Sequence, residues 1–365
     1  MRRAVGMGLP VVVKVGSSSL SNDGGGIKES AVETVVDQLC DLAESGYPPV
    51  LVSSGAIAAG LPILGMTEPP GKVADLQVAA AVGQSELMQQ YASGFGQRGI
   101  TIGQVLLTKD VLGNRTQYLN AKAALLRMLE LGIVPIVNEN DTVAVDEVRL
   151  GDNDQLAAIA SHLIGADMLI ILTDTEGLFT DDPRFASDAK LLTAVKHNDE
   201  VLDRVRMATG TGTLGRGGVA TKITAARMAA FSGIPTVIAS AGTRSIAEIV
   251  RGDDVGTWVD PRPKVLSARK LWIAFGLAST GTIVVDDGAV RAIRDGGRSL
   301  LGAGVIDATG DFERLDAVEV VTGSGELIAK GIVRISAEGL EQAAGRHSSE
   351  AGGEIIHRDD LVVLT

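Results

Sequence analysis

Gly151-Asp152-Asn153-Asp154 sets two carboxylates and an amide just before an apolar helical segment, more acidic oxygens than helix capping needs. Upstream, Val11-Val12-Val13-Lys14-Val15-Gly16-Ser17-Ser18 ends an apolar run in a lysine and a small-residue turn. Downstream, Gly215-Arg216-Gly217-Gly218-Val219-Ala220-Thr221-Lys222 joins a glycine-rich turn to a second lysine. Two ammonium groups, two turns rich in backbone N–H donors and an acidic cluster suit phosphoryl transfer, which needs cations and donors where negative charge is held and moved. Two lysines facing one polyphosphate repel each other unless a carboxylate lies between them.

Each segment also has a plainer reading. Lys14 could snorkel from an edge strand, and the glycine turn could be a flexible surface loop. Asp154 could cap the helix that starts at Gln155-Leu156, and Asn138-Glu139-Asn140-Asp141 could be an ordinary turn. The P-loop spacing G-x-x-x-x-G-K-[ST] is missing, as are the H-R-D and D-F-G words of protein kinases. No histidine is paired with a nucleophile: His162 falls in an apolar helical stretch, and His197, His347 and His357 lack suitable neighbours.

The elements that must position these groups alternate. Val11 to Val15 reads as a buried strand, and Ile27, Ala31, Val32, Val35, Leu39 and Leu42 follow at helical spacing up to Gly46. Val50 to Val52, Ile102 to Leu107, Val134 to Val137 and Met168 to Leu172 read as further strands. Helical patterns fall around Leu119 to Leu131, Leu156 to Ile164 and Ile223 to Phe231. This predicts an α/β fold, an open and mainly parallel sheet sandwiched by helices over residues 1–260. Ligands of such sheets collect at the carboxyl ends of strands, where Lys14, Ser53-Ser54-Gly55, Asn138 to Asp141 and Thr173-Asp174 all fall.

Pro261-Arg262-Pro263 opens an expected linker over 261–275. Beyond it, Thr282 to Val285, Ala317 to Val321, Ile328 to Val333 and Leu361 to Leu364 predict a small β-rich domain over 276–365. From residue 270 onward, nine Lys or Arg stand against fifteen Asp or Glu, so this tail carries about −6. The whole chain of 365 residues carries −12, the wrong sign for general attraction to nucleic acid or anionic membrane. Cys40 is the single cysteine, which excludes an intrachain disulfide and fits a cytoplasmic location. No apolar run approaches membrane-spanning length.

The order and wording of these segments resemble the amino acid kinase family over nearly the whole chain. Val284-Val285-Asp286-Asp287-Gly288-Ala289, Ser299-Leu300-Leu301 and Gly310-Asp311-Phe312 resemble the PUA domain. The resemblance implies ATP-dependent phosphorylation of the side-chain carboxylate of L-glutamate, opening proline biosynthesis. Aspartate, acetylglutamate or uridylate as acceptor, and an RNA-linked regulatory role for the PUA-like tail, are the alternatives. By resemblance, Lys14 and Lys222 contact the transferred phosphoryl group and Asp154 organises them. Ser54, Asp141 and Asn153 bind glutamate, with Asp152 near its ammonium. The nucleotide lies against Lys14, Thr173, Asp174 and the run Gly217, Gly218, Val219, Ala220, Thr221 and Lys222, in which Val219 replaces the family's usual Met. A carboxylate acceptor needs no general base. Mg2+ is implied with ATP, its protein ligands unassigned. Assembly into dimers or tetramers and inhibition by proline are further implications, while RNA binding and membrane association are not expected.

Overall fold

The computed structural model of the chain describes residues 2–22, 24–143, 152–208, 218–242, 246–263, 265–343 and 354–364. It divides into two compact units, Met1–Val265 and Leu266–Thr365. The boundary falls inside the stretch expected to be a linker.

The first unit runs β1 (Val11–Val15), α1 (Ser17–Leu20), α2 (Glu29–Glu44), β2 (Pro49–Ser53), α3 (Ala56–Ile63), α4 (Val73–Gln97) and β3 (Ile102–Leu107). It continues through α5 (Arg115–Glu130), β4 (Val134–Glu139), α6 (Asp152–Ile164), β5 (Met168–Thr173), β6 (Ala194–Lys196) and α7 (Glu200–Ala208). α8 (Val219–Phe231), β7 (Thr236–Ser240), α9 (Ile246–Arg251) and β8 (Thr257–Asp260) complete it. Among the described residues the strands form one sheet in the order β3-β4-β2-β1-β5-β7-β8-β6, parallel throughout except where β8 runs against β7.

β1 lies at the centre, with Lys14 in register with Val52 of β2 and Ile171 of β5. Side chains alternate across a strand. Val11, Val13 and Val15 therefore enter the core formed with Val32, Val35 and Leu39 of α2 and Leu87, Tyr91 and Phe95 of α4. Val12 and Lys14 face the opposite side, where α6 packs on β1. Each fully buried Val or Leu of this core contributes roughly 1.5–3 kcal/mol. α3 and α4 meet backbone to backbone: a methyl group at Gly83 would lie 1.8 Å from the Ala56 carbonyl oxygen, and one at Gly60 would lie 2.0 Å from that of Ala79. Gly83→Ala would therefore force the two helices apart.

The second unit contains α10 (Ala268–Leu271), β9 (Ser279–Val285), α11 (Asp287–Arg294), β10 (Leu300–Leu301), β11 (Val305–Gly310), β12 (Ala317–Thr322), β13 (Leu327–Ile332), α12 (Ala337–Ala343), β14 (Glu354–Ile356) and β15 (Leu361–Val363). Five strands pair as β11-β9-β12-β13-β15 and two as β10-β14, around a core that includes Ile283, Phe312, Val318, Val320 and Ile328. From Ala268 the expected linker is helical, and Ile273 and Ala274 pack with Ile332 and Val362 of this unit.

Candidate active site

The carboxyl end of β1 and the first turns of α6 and α8 bring three charged groups together. Lys14 Nζ lies 2.6 Å from Asp154 Oδ1, and Lys222 Nζ lies 3.5 Å from Asp154 Oδ2. The Thr221 hydroxyl donates to Asp154 Oδ2 at 2.6 Å. Asp154 is 0% and Lys14 3% exposed. Burial lowers the Lys14 pKa from its ordinary value; the attraction of Asp154 opposes that shift, and repulsion from Lys222 adds to it. Asp154 thus brings the Lys14 and Lys222 ammonium groups to one place at the strand end, an arrangement that favours an anionic ligand.

The surroundings fit a phosphate. A methyl group at Gly16 would lie 3.3 Å from Lys14 Nζ, so the glycine leaves the space beside the ammonium open. α8 begins directly after Gly218, with no acidic residue in its first turn and no side chain capping it. The helix dipole favours anions at that end. The edge-strand reading of Lys14 fails because β1 is central. The capping reading of Asp154 fails because α6 starts two residues earlier and the carboxylate is turned to Lys14, Thr221 and Lys222.

A second, neutral cluster lies at the ends of β2 and β4. Asn153 Nδ2 is 3.0 Å from the Ser53 carbonyl oxygen, 2.9 Å from Ser54 Oγ and 2.8 Å from Asn138 Oδ1. Asn138 Oδ1 also accepts from the Glu139 N–H at 2.9 Å, and Asn138 Nδ2 donates to Gln84 Oε1 at 2.7 Å. Ser53 Oγ is 2.7 Å from the hydroxyl of Tyr91, which burial shifts to a raised pKa. Gln84 and Tyr91 both come from α4. Sequence reading missed them, although their seven-residue spacing along the buried stripe Ala80, Gly83, Leu87, Tyr91 was a signal.

The other predicted residues are placed as follows. Asp141 follows β4, three residues after Asn138. Asp152 opens α6, its side chain outside the described residues, as are Gly151, Gly217 and the segment 144–150. Val219 and Ala220 form the first turn of α8. Thr173 ends β5 beside Ser240 of β7, and its hydroxyl donates to Asp174 Oδ1 at 3.0 Å. His162 lies in the last turn of α6, 3.5 Å from the Tyr118 hydroxyl, and burial lowers its pKa to about 4. Among the described residues no group of three or more His, Cys, Asp or Glu side chains is placed to hold a metal ion. No described helix is long and apolar enough to cross a membrane.

Residues 10–240 match the amino acid kinase family and residues 281–353 match the PUA domain. The chain is 45% identical to a glutamate 5-kinase from a Marinomonas species over 373 aligned residues, covering 100% of both chains. It is 43% identical to the glutamate 5-kinase of Pseudomonas entomophila, covering 97% of each. Among solved structures, the UMP kinase from Bacillus anthracis aligns with a TM-score of 0.48 and 14% identity over 69% of this chain and 95% of that one.

Proposed function

Because the chain belongs to the amino acid kinase family, within its glutamate 5-kinase branch, we propose the following working of its sheet-edge site. The protein phosphorylates the side-chain carboxylate of L-glutamate with ATP to give L-glutamyl 5-phosphate, the first step of proline biosynthesis. A carboxylate oxygen attacks the γ-phosphorus and forms the acyl phosphate bond. The bond from that phosphorus to the β–γ bridging oxygen breaks, and its electron pair leaves with ADP. The carboxylate is already deprotonated at neutral pH, which removes any need for a histidine base.

The observation that carries this reading is the buried Lys14–Asp154–Lys222 cluster at the end of the central strand. Lys14 and Lys222 stabilise the charge that moves during transfer, and Asp154 fixes their positions. Ser54, Asp141 and Asn153 hold glutamate, with Asp152 near its ammonium. Thr173, Asp174 and the run Gly217 to Lys222 hold the nucleotide. Mg2+ would enter with the nucleotide and supply charge neutralisation at its phosphates. Feedback by proline, assembly into dimers or tetramers and a cytoplasmic location complete the proposal, the last in keeping with the lone cysteine Cys40. The acidic second unit argues against an RNA partner.

A substrate panel with ATP and Mg2+, trapped with hydroxylamine, tests the reading. L-glutamate should yield hydroxamate in strong preference to L-aspartate and N-acetylglutamate. Preference for N-acetylglutamate would overturn the substrate and leave the reaction class standing.

A further inference from the structure

The orientation of the Asn153 amide is imposed by groups that have only one polarity. A backbone N–H can only donate and a backbone carbonyl can only accept. The Glu139 N–H meets Asn138 at 2.9 Å, so Asn138 must present Oδ1 there and turn its NH2 group toward Gln84, at 2.7 Å. Asn153 in turn faces Asn138 Oδ1 at 2.8 Å and the Ser53 carbonyl at 3.0 Å, both acceptors. It must therefore present Nδ2 to them. Its Oδ1 is left buried without a hydrogen-bond partner among the described residues. A buried acceptor of this kind costs about 1–3 kcal/mol until something donates to it.

A free amino dicarboxylate offers one class of donor at neutral pH. Its two carboxylates accept, and only its ammonium donates. We infer that Asn153 Oδ1 reads the substrate ammonium, and that Gln84, through Asn138, is the positioning residue that keeps this acceptor turned to the substrate. This rests on the reading that Asn153 contacts glutamate, and it adds which end of the molecule Asn153 recognises and what holds it in place. α4 can deliver Gln84 because the neighbouring Gly83 lets the helix lie directly on α3.

The experiment compares Gln84→Met, which removes the acceptor at similar volume, with Gln84→Glu, which keeps an acceptor for Asn138 Nδ2. Substrates are L-glutamate and glutarate, which lacks the ammonium. For Gln84→Met, KM for glutamate should rise about tenfold, and the preference for glutamate over glutarate should narrow by about the same factor. The kcat and the KM for ATP should stay within about twofold, and Gln84→Glu should stay within about threefold of the unaltered protein. Unchanged KM for glutamate in Gln84→Met overturns the inference. So does equal loss with both substrates, or a Gln84→Glu protein as impaired as Gln84→Met. Should Gln84→Met not fold, the unaltered protein decides: glutarate should compete with glutamate at least about a hundredfold more weakly, and equal competition sinks the assignment. A protein that makes no hydroxamate from glutamate at all defeats the functional reading itself.

Discussion

The lysine cluster around Asp154 and the amide network around Asn138 occupy neighbouring strand ends in the same unit, and both are withdrawn from water. In the first, two ammonium groups meet at one carboxylate, so the cluster is built from charged groups. In the second, the hydrogen bonds of Asn138 and Asn153 join neutral groups, and among the described residues Asn153 Oδ1 is an acceptor with no donor. Charge acts over distance and grows stronger in a dry site, whereas a neutral hydrogen bond is local and worth about 1 kcal/mol net. Damage to the first cluster should therefore appear in turnover and damage to the second in substrate affinity.

The largest effect is expected from Asp154→Asn, which removes the carboxylate that pairs with both Lys14 and Lys222. Turnover should fall by roughly a hundredfold or more, and stability should fall by about 3–5 kcal/mol in chemical denaturation. Lys14→Met sharpens the comparison, because it should remove activity on a similar scale, roughly a hundredfold, yet leaves Asp154 still paired with Lys222. Its melting temperature should hold or rise. A Lys14→Met protein that is both active and destabilised would mean that the lysine is structural. In the unaltered protein, activity should decline on the alkaline side at a lower pH than an ordinary lysine would dictate, since the Lys14 pKa is lowered.

His162 probes the other end of the helix that carries Asp154. Its folded pKa of about 4 lies below the ordinary 6.5, so the unfolded chain takes up the proton first as pH falls. Stability should be fully present above pH 6.5 and lost between there and about 4, by up to ~3 kcal/mol. His162→Gln should flatten that slope in denaturation curves measured across the range. Tyr91→Phe removes the hydroxyl beside Ser53 and should cost about 1 kcal/mol, with KM for glutamate moving a few fold and turnover little altered. Smallest of all, a chain ended at Val265 should keep its glutamate phosphorylation, since every residue placed in the site precedes that point. An inactive but folded truncation would show that the second unit serves catalysis or assembly.

Much of the charged cluster was legible in the sequence because its members announce themselves by type: lysine in a run of valines, an acidic word before an apolar helix, glycines before a second lysine. The central strands were legible for a similar reason, as continuous apolar runs. β6 and β11 were not: Ala194 and Lys196 are exposed around a single buried Val195, and β11 exposes most of its residues. Gln84 and Tyr91 escaped for a different cause. Their partners lie 54 and 38 residues away, and contact depends on how closely α4 can approach. That approach is set by Gly60 and Gly83, whose significance appears only once both helices are placed.

Lys14 also bears on how the chain finds its fold. It is paired with Val52 and Ile171 at the middle of the sheet, and the valines on either side of it point into the apolar layer of α2 and α4. A slip of β1 by one residue would reverse every side chain and drive the ammonium among Val35, Leu39 and Leu87, with no carboxylate to meet it. The cost of an unpaired buried charge makes that mispairing prohibitive. The lysine would thus act as a register lock during assembly, and a chain settled in the wrong alignment would be rejected by the same group that is proposed to serve the reaction.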